Sequence, residues 1–250
     1  MISTALWKTR QATRRLATAW GDTGSRGLAA EAQRLARELT GIPAALGREL
    51  AFDLRRGTRT RGFVRNEAHV AARSVGGDPI FYQPIGLRPL GEALATVPVD
   101  RPGSTLVDLG AGRGRALLLA AEAGFGRVLG VELDESLAAE ARENVRRWSR
   151  RAAPGAAPEV RVVHGDAATE PLPSGPLVVT MFNPFGATTL DLVLRSLCDA
   201  RRGDPDPAWV VYVHPVHDTV FAAFPRFTDH ARGRDWVVHR LAPEPAATGG

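Results

Sequence analysis

An aspartate, three glycines and a glutamate carry the chemistry that spacing alone suggests. Asp108 is followed by Gly110, Gly112 and Gly114 in LVDLGAGRGR (106–115), and Glu132 stands 22 positions after Gly110. Glycines at this density let a backbone turn tightly and approach a ligand with no Cβ in the way. Two nucleotide-like ligands compete for such a loop. The dinucleotide fingerprint is G-x-G-x-x-G, whose third glycine packs helix on strand, and that position is Arg115 here. An acid at the loop's mouth repels a pyrophosphate but suits a ligand carrying a sulfonium and an ammonium group. Glu132 can accept hydrogen bonds from both ribose hydroxyls in either case, so it does not discriminate. The loop favours S-adenosyl-L-methionine over NAD.

Regular elements must hold these residues. Thr105 to Leu109 is an aliphatic, β-branched run suited to a strand buried on both faces. Arg115 to Glu122 has helical composition, ended by Gly124 and Gly126, and Val128 to Val131 is the second strand of a β-α-β unit. Further along, Asp134 caps a helix reaching Trp148, and strands follow at Val160–Val163, Leu177–Phe182 and Trp209–Val213. Helices are predicted over Leu87–Val97 and Thr188–Ala200, and loops over 152–158 and 203–207. Phe221–Phe227 and Trp236–Leu241 are assigned to a closing antiparallel hairpin, and the tail 243–250 to disorder. Alternation of strands and helices implies an α/β fold with a mostly parallel sheet.

These motifs together resemble the class I S-adenosyl-L-methionine-dependent methyltransferases. The resemblance rests on LVDLGAGRGR (106–115), GVELDESL (130–137), HGDA (164–167) and MFNPFG (181–186), in the family's order. FDLRRGTRTRGFV (52–64), FYQPIGLRPL (81–90) and FNPFG (182–186) are similar to a bacterial subgroup with a helical N-terminal extension. The resemblance spans roughly residues 50 to 225. It implies a doubly wound, Rossmann-like sheet of seven strands and S-adenosyl-L-methionine as cofactor. It also implies that Asp108, Gly110, Ala111, Gly112 and Gly114 cradle the methionine end, with Glu132 and Leu133 at the ribose. Asp166 and Ala167 would then meet the adenine.

Asn183-Pro184-Phe185-Gly186 follows the fourth strand, on the edge where a methyl acceptor must sit. The stretch is similar to the (Asp/Asn/Ser)-Pro-Pro-(Tyr/Phe) motif of methyltransferases acting on planar amines. There the first side chain and a proline carbonyl hold the amine's hydrogens, and the last ring stacks on the substrate. Phe185 replaces the second proline and Gly186 the ring, so that stacking is lost. Asn183 remains a candidate to orient the acceptor and to touch the cofactor, with Phe185 as a pocket wall; the competing reading is a simple turn. Nitrogen is favoured over oxygen or carbon as the receiving atom. Tyr82 is a candidate lid or a packing residue, and His214 a candidate base or a structural histidine. His164 is assigned to packing at a strand end. No metal site is assigned, since His214, His217 and Asp218 fit no compact ligand spacing.

At 250 residues, with 44% hydrophobic and 24% charged residues, the chain has the bulk of one ordinary domain plus an extension. Residues 1–75 are assigned to a basic helical cap, 76–242 to the cofactor-binding domain. No apolar run nears the roughly 18 residues of a membrane span. With no signal-peptide core and a single cysteine, Cys198, the chain is expected in a reducing cytoplasm.

The net charge of +5 is unevenly placed: residues 1–75 hold 14 Lys+Arg against 6 Asp+Glu, the remainder 18 against 21. Lys8 is the one lysine, a pattern that genome composition alone can produce. The basic stretch reads either as a solvated face or as a footprint for an anionic partner such as nucleic acid. Thr4–Trp20 has no acid and a partial apolar face, which mimics a transit peptide, but it is assigned to the basic extension of a cytoplasmic chain. Leu28, Ala32, Leu35 and Leu39 form one helical stripe, and Leu46, Leu50 and Leu54 are predicted to face inward from a second helix begun at Gly41-Ile42-Pro43. The acceptor class stays open among small molecule, protein side chain and RNA, and the oligomeric state is not indicated.

Overall fold

The computed structural model describes residues 42–62, 64–65, 81–152 and 158–244. The predicted helices before residue 41, most of the basic run 66–73, the loop 153–157 and the end of the tail lie outside them. The chain divides into two compact units, Met1–Arg55 with Arg61–Phe63, and Arg56–Thr60 with Val64–Gly250.

The second unit is built on seven strands. β1 (Thr105–Leu109), β2 (Arg127–Glu132), β3 (Glu159–His164), β4 (Leu177–Phe182) and β5 (Ala208–Val213) run parallel, and β6 (Phe227–Arg232) and β7 (Trp236–Leu241) form an antiparallel hairpin. Their order across the sheet is β3-β2-β1-β4-β5-β7-β6. β1 and β5 are buried along their whole length, as befits central strands covered on both faces, Asp108 being the one charged residue within them. Val64–Arg65 and Phe81–Tyr82 add a separate two-residue antiparallel pair.

Helices cover both faces, the doubly wound arrangement expected of alternating elements. α2 (Leu87–Thr96), α3 (Arg115–Glu122) and α4 (Glu135–Ser149) pack against the sheet and against one another. On the opposite face, α5 (Ala187–Ala200) brings Leu190, Val193, Leu194 and Leu197 onto Val107, Leu109, Val179 and Met181. Asp134 caps α4 as expected, its Oδ1 accepting from the Ser136 and Leu137 amides at 2.7 and 3.0 Å. Among the described residues, no helix is long and apolar enough to cross a membrane.

Two sequence expectations fail. The hairpin's first strand is not Phe221–Phe227 but Phe227–Arg232. Asp218–Ala223 instead winds into a 3₁₀ turn, so that Phe221 stacks on His239 at 3.8 Å and meets the Phe227 ring edge-on at 5.2 Å. In α1 (Ile42–Arg56), Leu50 and Leu54 face outward, and Phe52 and Asp53 are the buried pair. Asp53 accepts from both the Arg61 amide and its guanidinium, at 3.2 and 3.0 Å, so an ion pair rather than a leucine stripe sets that face.

Candidate functional site

The parallel register brings five strand ends level. Leu109 pairs with Val131 and Met181, Glu132 with His164, and Phe182 with Val213. The chain leaves β1 and β4 in opposite directions across the sheet, so the crevice for a ligand opens between their carboxyl ends. Gly110 and Asn183 are the residues that step out of those two strands.

The glycine loop is tied down before any ligand is considered. The Gly110 and Ala111 amides both donate to the Val131 carbonyl, at 2.9 and 3.0 Å, and Gly114 donates to Ala111 at 2.8 Å. Gly110 and Gly114 take φ of 81° and 80°, where a side chain is strained. A Cβ on Gly110 would also lie 2.6 Å from Pro184 Cβ, so the loop touches Pro184 at this point. Below the loop, a Cβ at Gly130 would sit 2.7 Å from Leu117 and 2.9 Å from Ala111. This glycine of β2 is what lets α3 and the loop close onto the sheet.

Two buried acids face this loop. Glu132 receives one amide on each oxygen, Gly112 on Oε2 at 2.6 Å and Asp134 on Oε1 at 2.9 Å. Burial raises its pKa and these amides oppose the rise. Each oxygen keeps a lone pair for a further donor. Asp108 accepts the Thr180 hydroxyl at 2.8 Å from the neighbouring strand β4. Desolvation, aided by the charge of Glu132 and opposed by the Thr180 hydrogen bond, pushes the Asp108 carboxyl up to about 7. A pocket holding two such acids favours a cation.

The other predicted site residues are spread along the same edge. Asp166 uses Oδ1 to receive the Ala168 amide at 2.8 Å and so shapes the turn after β3; Ala167 is buried in the core. The Leu133 carbonyl meets His164 Nε2 at 3.1 Å, and His164 is exposed at the end of β3. Asn183 and His214 are the two non-glycine residues with positive φ among those described, at 41° and 55°. They stand one position beyond the paired Phe182 and Val213. His214 is exposed, its ring 6.2 Å from Phe182. Phe185 packs partly buried against the core cluster. The backbone of Tyr82 pairs with Val64; its side chain lies outside the described residues. Among the described residues, no cluster of three metal-ligating side chains occurs.

Sequence reasoning missed three supports. Tyr212, in β5, donates its hydroxyl to Asn183 Oδ1 at 3.0 Å. Asn144, in α4, accepts the Arg59 amide at 2.8 Å and donates to the Arg113 carbonyl at 3.0 Å, fastening residues 56–60 to the glycine loop. Arg115, which excluded the dinucleotide fingerprint, is 1% exposed and donates to Thr60 Oγ1 at 2.9 Å and to the Ile85 carbonyl at 3.2 Å. A charged side chain this deep signals nothing by spacing, because its partners lie 55 and 30 positions upstream.

Residues 106–202 match the protein family described as "Methyltransferase domain". The match spans β1 to the end of α5, the part that holds the loop and both acids, and less than half of the chain. No curated protein matches the chain in sequence. Among solved structures, the chain is similar to an RNA methyltransferase from Salinibacter ruber in complex with S-adenosyl-L-homocysteine. The identity is 21% over 64% of this chain and 94% of that one, with a TM-score of 0.45. It is also similar to the PH0226 protein of Pyrococcus horikoshii (20%, covering 63% and 89%, TM-score 0.45). A ribosomal protein L11 methylase of Lactobacillus delbrueckii subsp. bulgaricus gives 15%, covering 63% and 78%, with a TM-score of 0.44. Likenesses this loose say nothing about what this chain acts on.

S-adenosyl-L-methionine is the cofactor that goes with a methyltransferase domain of this type, and the residues present fit it. The glycine cradle leaves no room for a Cβ at Gly110, and the buried Asp108 and Glu132 offer carboxylates to a cationic, hydroxyl-bearing ligand. When bound, it supplies an electrophilic methyl group.

Proposed function

We propose that this protein is an S-adenosyl-L-methionine-dependent methyltransferase of class I. One observation supports the reading above the others: a buried acid pair, Asp108 and Glu132, sits beneath a glycine loop that itself donates to Glu132. In this reading Asp108 and the backbone of Gly110, Ala111, Gly112 and Gly114 meet the methionine end. Glu132 and Leu133 meet the ribose, and Asp166 and Ala167 the adenine. Asn183, Pro184 and Phe185 border the acceptor, with Tyr82 and His214 at its margins. Methyl transfer is an in-line displacement at carbon, so the chain's task is to align a nucleophile and exclude water. The receiving atom is read as nitrogen, from the likeness of Asn183-Pro184 to the planar-amine motif.

Calorimetric titration with S-adenosyl-L-homocysteine, with NAD as control, tests the cofactor. Binding of the first alone is expected, and Glu132→Ala should weaken it by about 1–3 kcal/mol, the range for stranding buried polar groups. Binding of NAD instead would overturn the reading.

RNA as the acceptor is the second reading, motivated by the basic N-terminal stretch. Part of that charge is spent internally: Arg56 bonds Glu122 at 2.7 Å and Arg61 bonds Asp53 at 3.0 Å. An RNA acceptor requires binding that falls steeply with salt.

A further inference from the structure

The Asn183 amide has a definite polarity. Tyr212 is 1% exposed, and its hydroxyl oxygen accepts the His217 amide at 3.3 Å while standing 3.0 Å from Asn183 Oδ1. A phenol has one hydrogen to give, and among the described residues Asn183 Oδ1 is its one acceptor. Turning the amide over would set N–H against O–H and strand that hydrogen in a buried place. Burial also raises the Tyr212 pKa above the usual phenol value, so the hydroxyl stays a donor at neutral pH. The Nδ2 hydrogens of Asn183 therefore point away from Tyr212, and no described residue accepts them.

We propose that Tyr212 is a positioning residue that fixes Asn183 as a hydrogen-bond donor, so that the methyl acceptor presents a lone pair there: a carbonyl, a carboxylate or a ring nitrogen beside the reacting atom. The inference rests on the methyltransferase reading. It reverses the planar-amine arrangement, in which the side-chain oxygen takes the amine's hydrogens. A nitrogen nucleophile spends its lone pair on the methyl carbon as the carbon–sulfur bond breaks, the sulfur keeps that bond's electron pair, and the surplus proton leaves to solvent. Asn183 stays neutral and moves no proton.

Asn183→Asp discriminates the two arrangements, because it keeps an oxygen for Tyr212 and loses only the N–H donors. Aspartate also serves in the planar-amine motif. The assay follows labelled methyl from S-adenosyl-L-methionine into a protein-free small-molecule extract, purified RNA and a protein extract. Asn183→Asp should still bind S-adenosyl-L-homocysteine but transfer about a hundredfold more slowly, the cost of removing one aimed donor. Tyr212→Phe should cause a smaller loss that disappears in the Asn183→Asp background. Full transfer by Asn183→Asp overturns the proposal. A second readout needs no acceptor. In the NMR spectrum, the Asn183 side-chain amide signal, recognised by its loss in Asn183→Ser, should show at most a weak nuclear Overhauser effect to the Tyr212 ring ε protons. A strong effect there overturns the proposal by itself. Failure to bind S-adenosyl-L-homocysteine would instead sink the methyltransferase reading and leave the NMR result to judge the amide.

Discussion

The two sides of the crevice are finished to different degrees. At the β1–β2 side, both oxygens of Glu132 hold backbone amides, and Gly110 and Ala111 share the Val131 carbonyl. At the β4–β5 side, Asn183 and His214 leave their strands in a left-handed conformation, His214 is exposed, and one hydroxyl steadies the amide. The first side is set by short backbone bonds that any ligand of the same shape would meet. The second is set by a few side chains, and under the proposed function it is there that acceptor choice would vary without disturbing the fold.

The sharpest way to break this contrast is Gly110→Ala. The change forces an alanine into φ 81° and drives its Cβ to within 2.6 Å of Pro184, so both sides should fail together. Left-handed backbone alone costs roughly 1–2 kcal/mol per residue, and S-adenosyl-L-homocysteine binding should become undetectable by calorimetry, with a lowered Tm. Normal binding would mean the two sides are not in contact in solution.

Asp108 sharpens the contrast through pH. Its folded pKa of about 7 lies above its ordinary 3.8. The stability it contributes is complete below the ordinary value and is lost as pH rises toward 7, by roughly 4 kcal/mol at 1.36 kcal/mol per unit. Asp108→Asn should therefore raise the unfolding free energy at pH 8 and little at pH 4, while weakening cofactor binding. In the wild type, a cationic ligand favours the carboxylate, so binding near pH 7 should release up to about half a proton. Titration in buffers of differing ionisation enthalpy measures it, and zero release would place the cation elsewhere. The smallest effect belongs to Asn144→Ala, which should cost about 1–2 kcal/mol of stability by chemical denaturation and leave the β4–β5 side untouched.

The parallel half of the sheet was legible because its signals are local. β1, β4 and α3 occupy the predicted spans, since apolar runs, glycine stops and a capping aspartate act over a few residues. The hairpin was misplaced because Phe221 to Phe227 has strand-like composition, while Phe221 stacks on His239 of β7 and meets the Phe227 ring edge-on. α1 was misread for the same reason: Leu50 and Leu54 have helical spacing, yet Asp53 finds Arg61. At the candidate site, Asp108, Glu132 and the glycines announced themselves by type and interval. Tyr212 did not, because a tyrosine inside a buried strand reads as packing until the side chain 29 positions away is seen.

Residues 56–60 have a bearing on how the protein can be cut and rebuilt. Arg59 reaches Asn144 across 85 positions and Thr60 reaches Arg115 across 55, so the glycine loop leans on chain made long before it. A fragment begun just after Thr60 would still contain every strand and every residue proposed to touch the cofactor. It would nevertheless leave Arg115 buried without the Thr60 hydroxyl and Asn144 without the Arg59 amide. Such a fragment should be harder to fold than its intact sheet suggests, and a peptide spanning the missing strap would be the natural piece to add back.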